Sequence, residues 1–250
     1  MPGADAVVIG AGHNGLVAAN LLADAGWTVV VYEAEDEPGG AVRSGELIEP
    51  GFVNDRFSAF YPLGAASPVF RALALDIPWR HGPLVLAHPS EDGSCAVLSR
   101  DVDETATSLG VDGDRWRELT DVWARVEPAV LRGMTTPFPQ IRAAVQLALE
   151  PAAVQLAWPG FSGELARRLL LGNALHSDAR ADSVLGRLFG MLLTSFGQRY
   201  GYPCIEGGAG VLTAALVRRA EERGVAIRCG ERVTHLPQAK RAVIAAIDIW

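Results

Sequence analysis

The chain has 250 residues, of which 49% are hydrophobic and 20% charged, and its formal net charge at pH 7 is −7. This is the balance of a globular protein with enough apolar material for a core, and it excludes a disordered chain. Because the net charge is negative and no run of lysine and arginine occurs, we expect no nucleic acid among the partners.

The first forty residues predict a strand, a helix and a second strand. Ala6–Ile9 is a short, β-branched apolar run, typical of a strand that is buried on both faces. A glycine-rich turn follows, and the Ala- and Leu-rich stretch Leu16–Ala25 predicts a helix that Gly26 ends. Thr28–Tyr32 predicts the second strand, with Glu33 at its end. The pattern predicts the βαβ unit of a Rossmann-like α/β domain.

The turn Gly10-Ala11-Gly12-His13-Asn14-Gly15 has the spacing of a dinucleotide-binding motif. Gly10 permits the tight turn, Gly12 lets the backbone approach a pyrophosphate, and Gly15 lets helix and strand pack closely. Free N–H groups at the start of the helix attract phosphates. Glu33 is placed to accept hydrogen bonds from ribose hydroxyls and would repel a 2′-phosphate, which argues against NADP. The turn by itself leaves FAD and NAD open.

The segment after the second strand carries a more specific pattern. The stretch Gly39-Gly40-Ala41-Val42-Arg43-Ser44 resembles the extended fingerprint of flavoproteins related to glutathione reductase, in the branch that contains amine oxidases and phytoene desaturases. The pair His13-Asn14 inside the turn is similar to that of phytoene desaturase-like oxidoreductases, although an exposed loop position without a role is an equal alternative for His13.

This resemblance implies FAD as the cofactor and a discontinuous FAD-binding domain with a mainly helical substrate domain inserted in it. We predict the FAD-binding domain over residues 1–66 and 201–250, and the insert over 67–200. The backbone of Val233 is implied to lie against the adenine. The predicted cofactor-binding residues are Gly10, Gly12, His13, Asn14, Gly15, Glu33, Gly39, Gly40, Arg43 and Val233.

The insert begins with a predicted β-hairpin. The apolar runs Leu84–Ala87 and Cys95–Leu98 flank an Asp-Gly pair, which is a strong turn signal. Asp101 has the spacing of a capping box for a short helix that Gly110 closes. A longer helix is predicted over Asp112–Met134, with Pro128 kinking it or ending it early.

The second half of the insert is unusually apolar over Pro137–Gly172 and again in a helix predicted over Ser183–Gly197. Core packing is one interpretation. The alternative is that these helices line a hydrophobic tunnel or make peripheral contact with a membrane, as the resemblance implies for an isoprenoid-like substrate.

The last fifty residues return to α/β signals. The segment Glu206-Gly207-Gly208-Ala209-Gly210 precedes a helix predicted over Val211–Arg223. Strands are predicted over Val225–Cys229, Arg232–Val233 and Ala242–Ile247. Family members continue well beyond this last strand, so the chain is expected to be a C-terminally truncated form.

The sequence therefore predicts a FAD-dependent oxidoreductase that transfers hydride or electrons between a hydrophobic, isoprenoid-like substrate and flavin. An NAD-dependent dehydrogenase and a non-catalytic, incomplete nucleotide-binding fragment are the alternatives. No catalytic residue is assigned, because the cofactor carries such chemistry. The cysteines Cys95, Cys204 and Cys229 are widely spaced, which predicts reduced thiols, no metal site and a cytoplasmic location.

Overall fold

The computed structural model describes residues 3–135, 154–157 and 159–248. The chain forms two compact units that alternate along the sequence. The sheet unit comprises Met1–Phe60, Phe70–Arg80 and Cys204–Trp250, and the helical unit comprises Tyr61–Val69 and His81–Pro203.

A parallel four-stranded sheet is the centre of the sheet unit. Its strands, in spatial order, are Ala242–Ala245, Ala6–Ile9, Val29–Tyr32 and Ala226–Arg228. All neighbouring pairs are parallel. The first strand lies inside the sheet, and the apolar side chains on both of its faces are buried, as the β-branched run predicted. The α/β fold class is confirmed.

Two helices, His13–Asp24 and Gly210–Glu222, pack on each other in this unit. Asn20 is completely buried between them, and its side-chain amide donates hydrogen bonds to the carbonyls of Leu16 and Leu216. Gly26 and Gly224 adopt positive φ just beyond the two helices, and for Gly26 this is the predicted helix-ending role.

The end of the chain departs from the prediction at one strand. Arg232–Val233 lies in an irregular segment and is not part of a strand. Gly230 takes a φ of +72° directly after the edge strand and turns the chain away, and Glu231 then donates its N–H to the carbonyl of Glu33. Two short antiparallel pairs complete the unit: Ser44–Gly45 with Asn54–Asp55, and Trp79–Arg80 with Cys204–Ile205.

The helical unit contains the predicted hairpin, formed by Leu86–Pro89 and Cys95–Leu98. Its described helices are Pro62–Ala66, Val102–Ser108, Gly113–Thr135, Val154–Ala157, Glu164–Ala174 and Val184–Tyr200, and a further helix, Pro68–Leu73, begins in this unit. The predicted apolar stretch from 137 to 172 lies partly outside the described residues.

The core of the helical unit is built on aromatic side chains. Trp116 and Phe196 are fully or almost fully buried, and Trp123 packs edge-on against Phe196 with ring centroids 5.3 Å apart. The helix predicted over Asp112–Met134 is confirmed as Gly113–Thr135, and of the two effects expected of Pro128 the early end is wrong. Pro128 lacks an N–H for the helix ladder, but the buried residues on the opposite side of the helix keep it packed.

Polar side chains cap two helices of this unit, and the cap at Asp101 is the one that the sequence predicted. The carboxylate of Asp101 accepts hydrogen bonds from the N–H groups of Asp103 and Glu104, and the hydroxyl of Ser183 accepts one from Gly186. Within the described ranges, no helix combines the length and the apolar character needed to span a bilayer.

Candidate dinucleotide-binding site

A cavity of about 860 Å³ lies in the sheet unit at the carboxyl ends of three parallel strands. Ligands of open α/β sheets bind at this edge. The structure brings most of the predicted cofactor-binding residues into its wall, namely Gly10, Gly12, His13, Asn14, Glu33, Gly40 and Val233. The other three predicted residues, Gly15, Gly39 and Arg43, do not line the cavity but contact the turn and the glycine pair that do.

The three glycines of the turn serve different purposes. A Cβ on Gly10 would lie 2.5 Å from the carbonyl oxygen of Ala246, and one on Gly15 would lie 2.0 Å from the carbonyl oxygen of Gly10. Neither position can hold a side chain without moving backbone. A Cβ on Gly12 would meet nothing closer than the Cα of Gly40, at 4.0 Å. The fold itself therefore leaves room at Gly12, on the cavity side of the turn.

The helix His13–Asp24 begins at this turn with an uncapped N-terminus. Gly12 is its N-cap, makes no side-chain hydrogen bond, and no acidic residue lies in the first turn. The first N–H groups of a helix have no partner inside the helix, and the helix dipole adds positive potential there. An anion such as a pyrophosphate would accept hydrogen bonds from these N–H groups and would be attracted by the positive potential.

Glu33 is fixed against the same turn. One carboxylate oxygen accepts the N–H of Ala11 at 2.7 Å, and the other accepts the N–H of Glu35 at 3.0 Å. Each carboxylate oxygen has a second lone pair, so the group can still accept hydrogen bonds from a ligand's hydroxyls. The carboxylate is thus held in place in the cavity wall before any ligand binds.

The glycine pair after the second strand lies directly beside the turn. The N–H of Gly39 donates to the carbonyl of Ala11 at 2.8 Å. Gly39 and Gly12 are thereby paired in an isolated parallel β-bridge. Both glycines of the pair have positive φ, at +123° and +56°. Arg43 donates from Nε to the carbonyl of Gly40 and forms an ion pair with Glu37, so it stabilises this loop from behind.

His13 is one of the residues in the cavity wall. Its side chain is half-buried, and this burial lowers the pKa of the imidazole from its usual value of 6.5. Arg232 is a cation of the wall, while Glu33, Glu231 and Asp248 are acids. Phosphates would therefore be held chiefly by backbone N–H groups and the helix end.

Sequence reasoning missed part of the wall. Tyr32, Ala34, Ala41 and the run from Ile244 to Asp248 also line the cavity. Some of these residues could have been predicted from the sequence, because residues at the ends of neighbouring parallel strands meet at one edge of a sheet. The irregular segment that carries Glu231 to Val233 has no such signal.

The helical unit contains a separate apolar groove of about 360 Å³. Its lining residues, among those that the structure describes, are all hydrophobic: Trp123, Val126, Val130, Leu156, Leu185, Leu188, Phe189, Met191 and Leu192. Two polar side chains of this unit pair with carboxylates. Tyr200 donates a hydrogen bond to Glu127. The pKa of the Tyr200 phenol is raised, mainly by burial and secondly by the Glu127 carboxylate. Arg180 forms an ion pair with Asp182.

The parallel sheet, the glycine-rich turn and the carboxylate after the second strand define a dinucleotide-binding α/β protein. Residues 5–172 match the family described as FAD dependent oxidoreductase, DAO. The chain belongs to this family. The membership favours FAD over NAD, and it confirms the resemblance to FAD-dependent oxidoreductases drawn from the sequence.

Individual relatives agree with this placement. Hydroxyneurosporene desaturase of Cereibacter sphaeroides is 28% identical over 257 residues, which cover 92% of this chain and 50% of the relative. One of the subunits of limonene dehydrogenase from Castellaniella defragrans is 30% identical over 122 residues, covering 46% of this chain and 22% of the relative. The chain thus spans about half the length of the desaturase it matches.

Solved structures show the same fold. Putrescine oxidase bound to putrescine superposes with a TM-score of 0.51 at 20% identity, over 90% of this chain and 51% of that chain. Cyclohexylamine oxidase from Brevibacterium oxydans gives a TM-score of 0.50 at 21% identity, over 90% and 51%. At these identities the likeness supports the fold alone.

Proposed function

We propose that this chain binds FAD in the cavity of the sheet unit, as part of an oxidoreductase that acts on a hydrophobic, isoprenoid-like substrate. The observation that carries the proposal is the open space at Gly12, next to an uncapped helix N-terminus and a prepositioned carboxylate. Packing within the protein does not require a glycine there, whereas close approach of a pyrophosphate does.

When bound, FAD supplies the acceptor or donor for a hydride or electron pair. The residues of the chain bind and orient it. The first N–H groups of the helix beginning at His13 receive the pyrophosphate, and Glu33 accepts hydrogen bonds from the ribose hydroxyls. Val233 lies in the cavity wall, where its backbone would contact the adenine.

A cofactor titration tests the first part of the proposal. The purified chain is mixed with FAD, desalted, and examined by visible absorption, and NAD⁺ and NADP⁺ are tested as competitors. We expect flavin to be retained and NADP⁺ not to displace it, because Glu33 repels a 2′-phosphate. A folded, colourless protein that retains no FAD would refute this assignment.

The apolar groove of the helical unit supports the substrate class. Its described lining residues are all uncharged and hydrophobic, which suits a hydrocarbon chain. Two relatives whose names specify hydroxyneurosporene and limonene, both isoprenoids, point to the same class.

Matched leucine variants test the groove. Leu188 lines it and is 40% exposed, whereas Leu175 is 76% exposed and lies outside the lining. The Kd for lycopene is measured by the quenching of tryptophan fluorescence. We expect Leu188→Gln to raise this Kd about tenfold, and Leu175→Gln to leave it unchanged. Equal effects of both substitutions would exclude the groove as the substrate site.

Nucleotide binding without catalysis is the second candidate, because the cavity of the sheet unit supplies binding groups while no catalytic residue is assigned. In that case the chain would retain FAD, but anaerobic addition of lycopene or a more saturated carotenoid would leave the flavin spectrum unchanged. Loss of the oxidised-flavin absorption band on addition of substrate, or its return when the flavin was reduced beforehand, would exclude this candidate.

A further inference from the structure

The helix Gly210–Glu222 starts without a capping residue of its own. Its N-cap, Ala209, has helical φ and ψ and makes no side-chain hydrogen bond. Two side chains from a distant part of the sequence replace the cap. The N–H of Ala209 donates to Oδ1 of Asp55 at 2.7 Å, and the N–H of Gly210 donates to Oγ of Ser44 at 2.8 Å.

Ser44 and Asp55 also bind each other. The Ser44 hydroxyl donates to Oδ1 of Asp55 at 2.7 Å, and the two residues are paired across the short strands Ser44–Gly45 and Asn54–Asp55. We call this pair the Ser44–Asp55 latch. The chain before the helix fits it closely, since a Cβ on Gly208 would lie 2.5 Å from Oγ of Ser44.

The latch lies directly after the glycine loop of the cofactor cavity. Inside that loop, the N–H of Val42 donates to the carbonyl of Gly39, and the Val42 carbonyl accepts the hydroxyl of Thr213 at 2.6 Å. Gly39 in turn donates to the carbonyl of Ala11 in the phosphate-binding turn. A continuous set of hydrogen bonds therefore joins the N-terminus of the helix Gly210–Glu222 to the cavity wall.

None of Ser44, Asp55 and Thr213 lines the cavity itself. We propose that Ser44 and Asp55, together with Thr213, are positioning residues that set the affinity for FAD by holding the loop 39–43 against the turn 10–15. This inference rests on the proposed function. It adds that FAD affinity depends on hydroxyl and carboxyl groups that do not line the cavity.

The physical basis is preorganisation. Both residues of the glycine pair have positive φ, and glycine loses more backbone entropy on ordering than any other residue, so this loop is costly to hold in one conformation. Hydrogen bonds from the helix end fix it before the cofactor arrives, and binding then spends less free energy on ordering the loop. Without the latch, the same contacts to FAD would form at a greater entropic cost.

Four variants of the full chain test the proposal. Ser44→Ala removes the hydroxyl, Ser44→Thr retains it, and Thr213→Val removes the second tie to the loop. Ser183→Ala is the matched control, because Ser183 caps the helix Val184–Tyr200 of the helical unit in the same way. Each variant is measured twice, by thermal unfolding without cofactor and by the Kd and dissociation rate of FAD.

We expect Ser44→Ala and Thr213→Val each to raise the Kd for FAD about tenfold, mainly through faster dissociation. Ser44→Thr should remain within about twofold of the wild type, and Ser183→Ala should lower the unfolding temperature without changing the Kd. If Ser44→Ala and Thr213→Val bind FAD as tightly as the wild type, the latch has no positioning role.

Two further outcomes are distinguishable. If the wild-type chain binds no FAD, the proposed function fails before the latch is tested. If Ser44→Ala does not fold, Asp55→Asn serves in its place. An asparagine at 55 retains the acceptor oxygen but loses the charge, so the Kd should rise by less than for Thr213→Val. An unchanged Kd for both Asp55→Asn and Thr213→Val would overturn the proposal.

Discussion

Replacement of Gly12 by alanine separates what the fold needs from what the ligand needs. Gly12 has φ −67° and ψ 171°, a region that alanine adopts freely, and its Cβ would have no neighbour closer than 4.0 Å. As an N-cap, alanine is less favourable than glycine by up to about 1 kcal/mol. The reduced freedom of the unfolded chain compensates by about 0.4–1 kcal/mol. The free energy of unfolding without cofactor should therefore change by less than about 1 kcal/mol.

The effect on FAD should be much larger. The new methyl group occupies the space through which the backbone of the turn approaches the pyrophosphate. An added methyl group in a well-packed contact costs about 1–3 kcal/mol. Since 1.4 kcal/mol is tenfold in affinity, the Kd of Gly12→Ala should rise by about fivefold to 150-fold. Flavin fluorescence measures the Kd, and urea denaturation of the cofactor-free protein measures stability.

Two other glycines provide the comparison. Gly45→Ala is the matched control, because its Cβ would make only ordinary contacts at 3.8 Å and it does not line the cavity. It should change neither quantity. Gly15→Ala should prevent folding or strongly destabilise it, since its Cβ would lie 2.0 Å from a backbone oxygen. The reasoning is refuted if Gly12→Ala binds FAD like the wild type, or if it unfolds as Gly15→Ala does.

Three more substitutions probe the site and its support. Glu33→Gln places an amide group against one of two backbone N–H donors and removes the charge. FAD binding should weaken by about 1.5–3 kcal/mol in the same titration, and an unchanged Kd would contradict the role of the carboxylate. Asp24 has a pKa below its usual 3.8, first because Arg219 donates a hydrogen bond to it. The wild type should be more stable than Asp24→Asn above about pH 4, and the difference in stability should vanish as the pH falls through the lowered pKa of Asp24 in the folded protein. Urea denaturation at several pH values measures this difference. A difference that does not depend on pH would contradict the prediction. Tyr202→Phe leaves Oδ1 of the buried Asn173 without its 2.8 Å hydrogen bond and should lower the free energy of unfolding by about 1–3 kcal/mol. Equal midpoints of urea denaturation for the variant and the wild type would contradict this.

The first βαβ unit could be predicted from sequence because its signals are local. A β-branched run, a glycine-rich turn and an apolar helix each follow from neighbouring residues, and the observed elements agree within a few positions. The hairpin around Gly93 belongs to the same class, because an Asp-Gly pair specifies its own turn. In such segments, backbone preference and burial pattern favour the same structure.

The incorrect predictions came from segments whose conformation depends on distant residues. Arg232–Val233 has the composition of a strand, but the turn at Gly230 directs it along the rim of the cavity instead. Pro128 has the local signature of a helix end, yet the aromatic core on the other face of the helix keeps it continuous. Local propensity is outweighed where buried packing on the same element is extensive.

The role of Ser44 shows a third kind of limit. Its position after the glycine pair fits the flavoprotein fingerprint, but the sequence gives no reason for a hydroxyl at that position. The reason is a helix N-terminus that lies 166 residues later in the chain. Capping is normally recognised from residues adjacent to the helix, so a cap contributed from another part of the chain leaves no local pattern.

The three glycines of the turn show how a functional residue can be recognised in one sequence with one structure. Gly10 and Gly15 would be needed whether or not the protein bound anything, because backbone atoms lie within 2.5 Å of their missing Cβ positions. Gly12 has no such neighbour and carries an entropic cost that alanine would reduce. A glycine that the fold does not require, at an uncapped helix N-terminus, supports the proposal that the phosphate of a ligand approaches the backbone there. The same distinction can be applied to any glycine-rich turn by comparing the packing around each absent side chain.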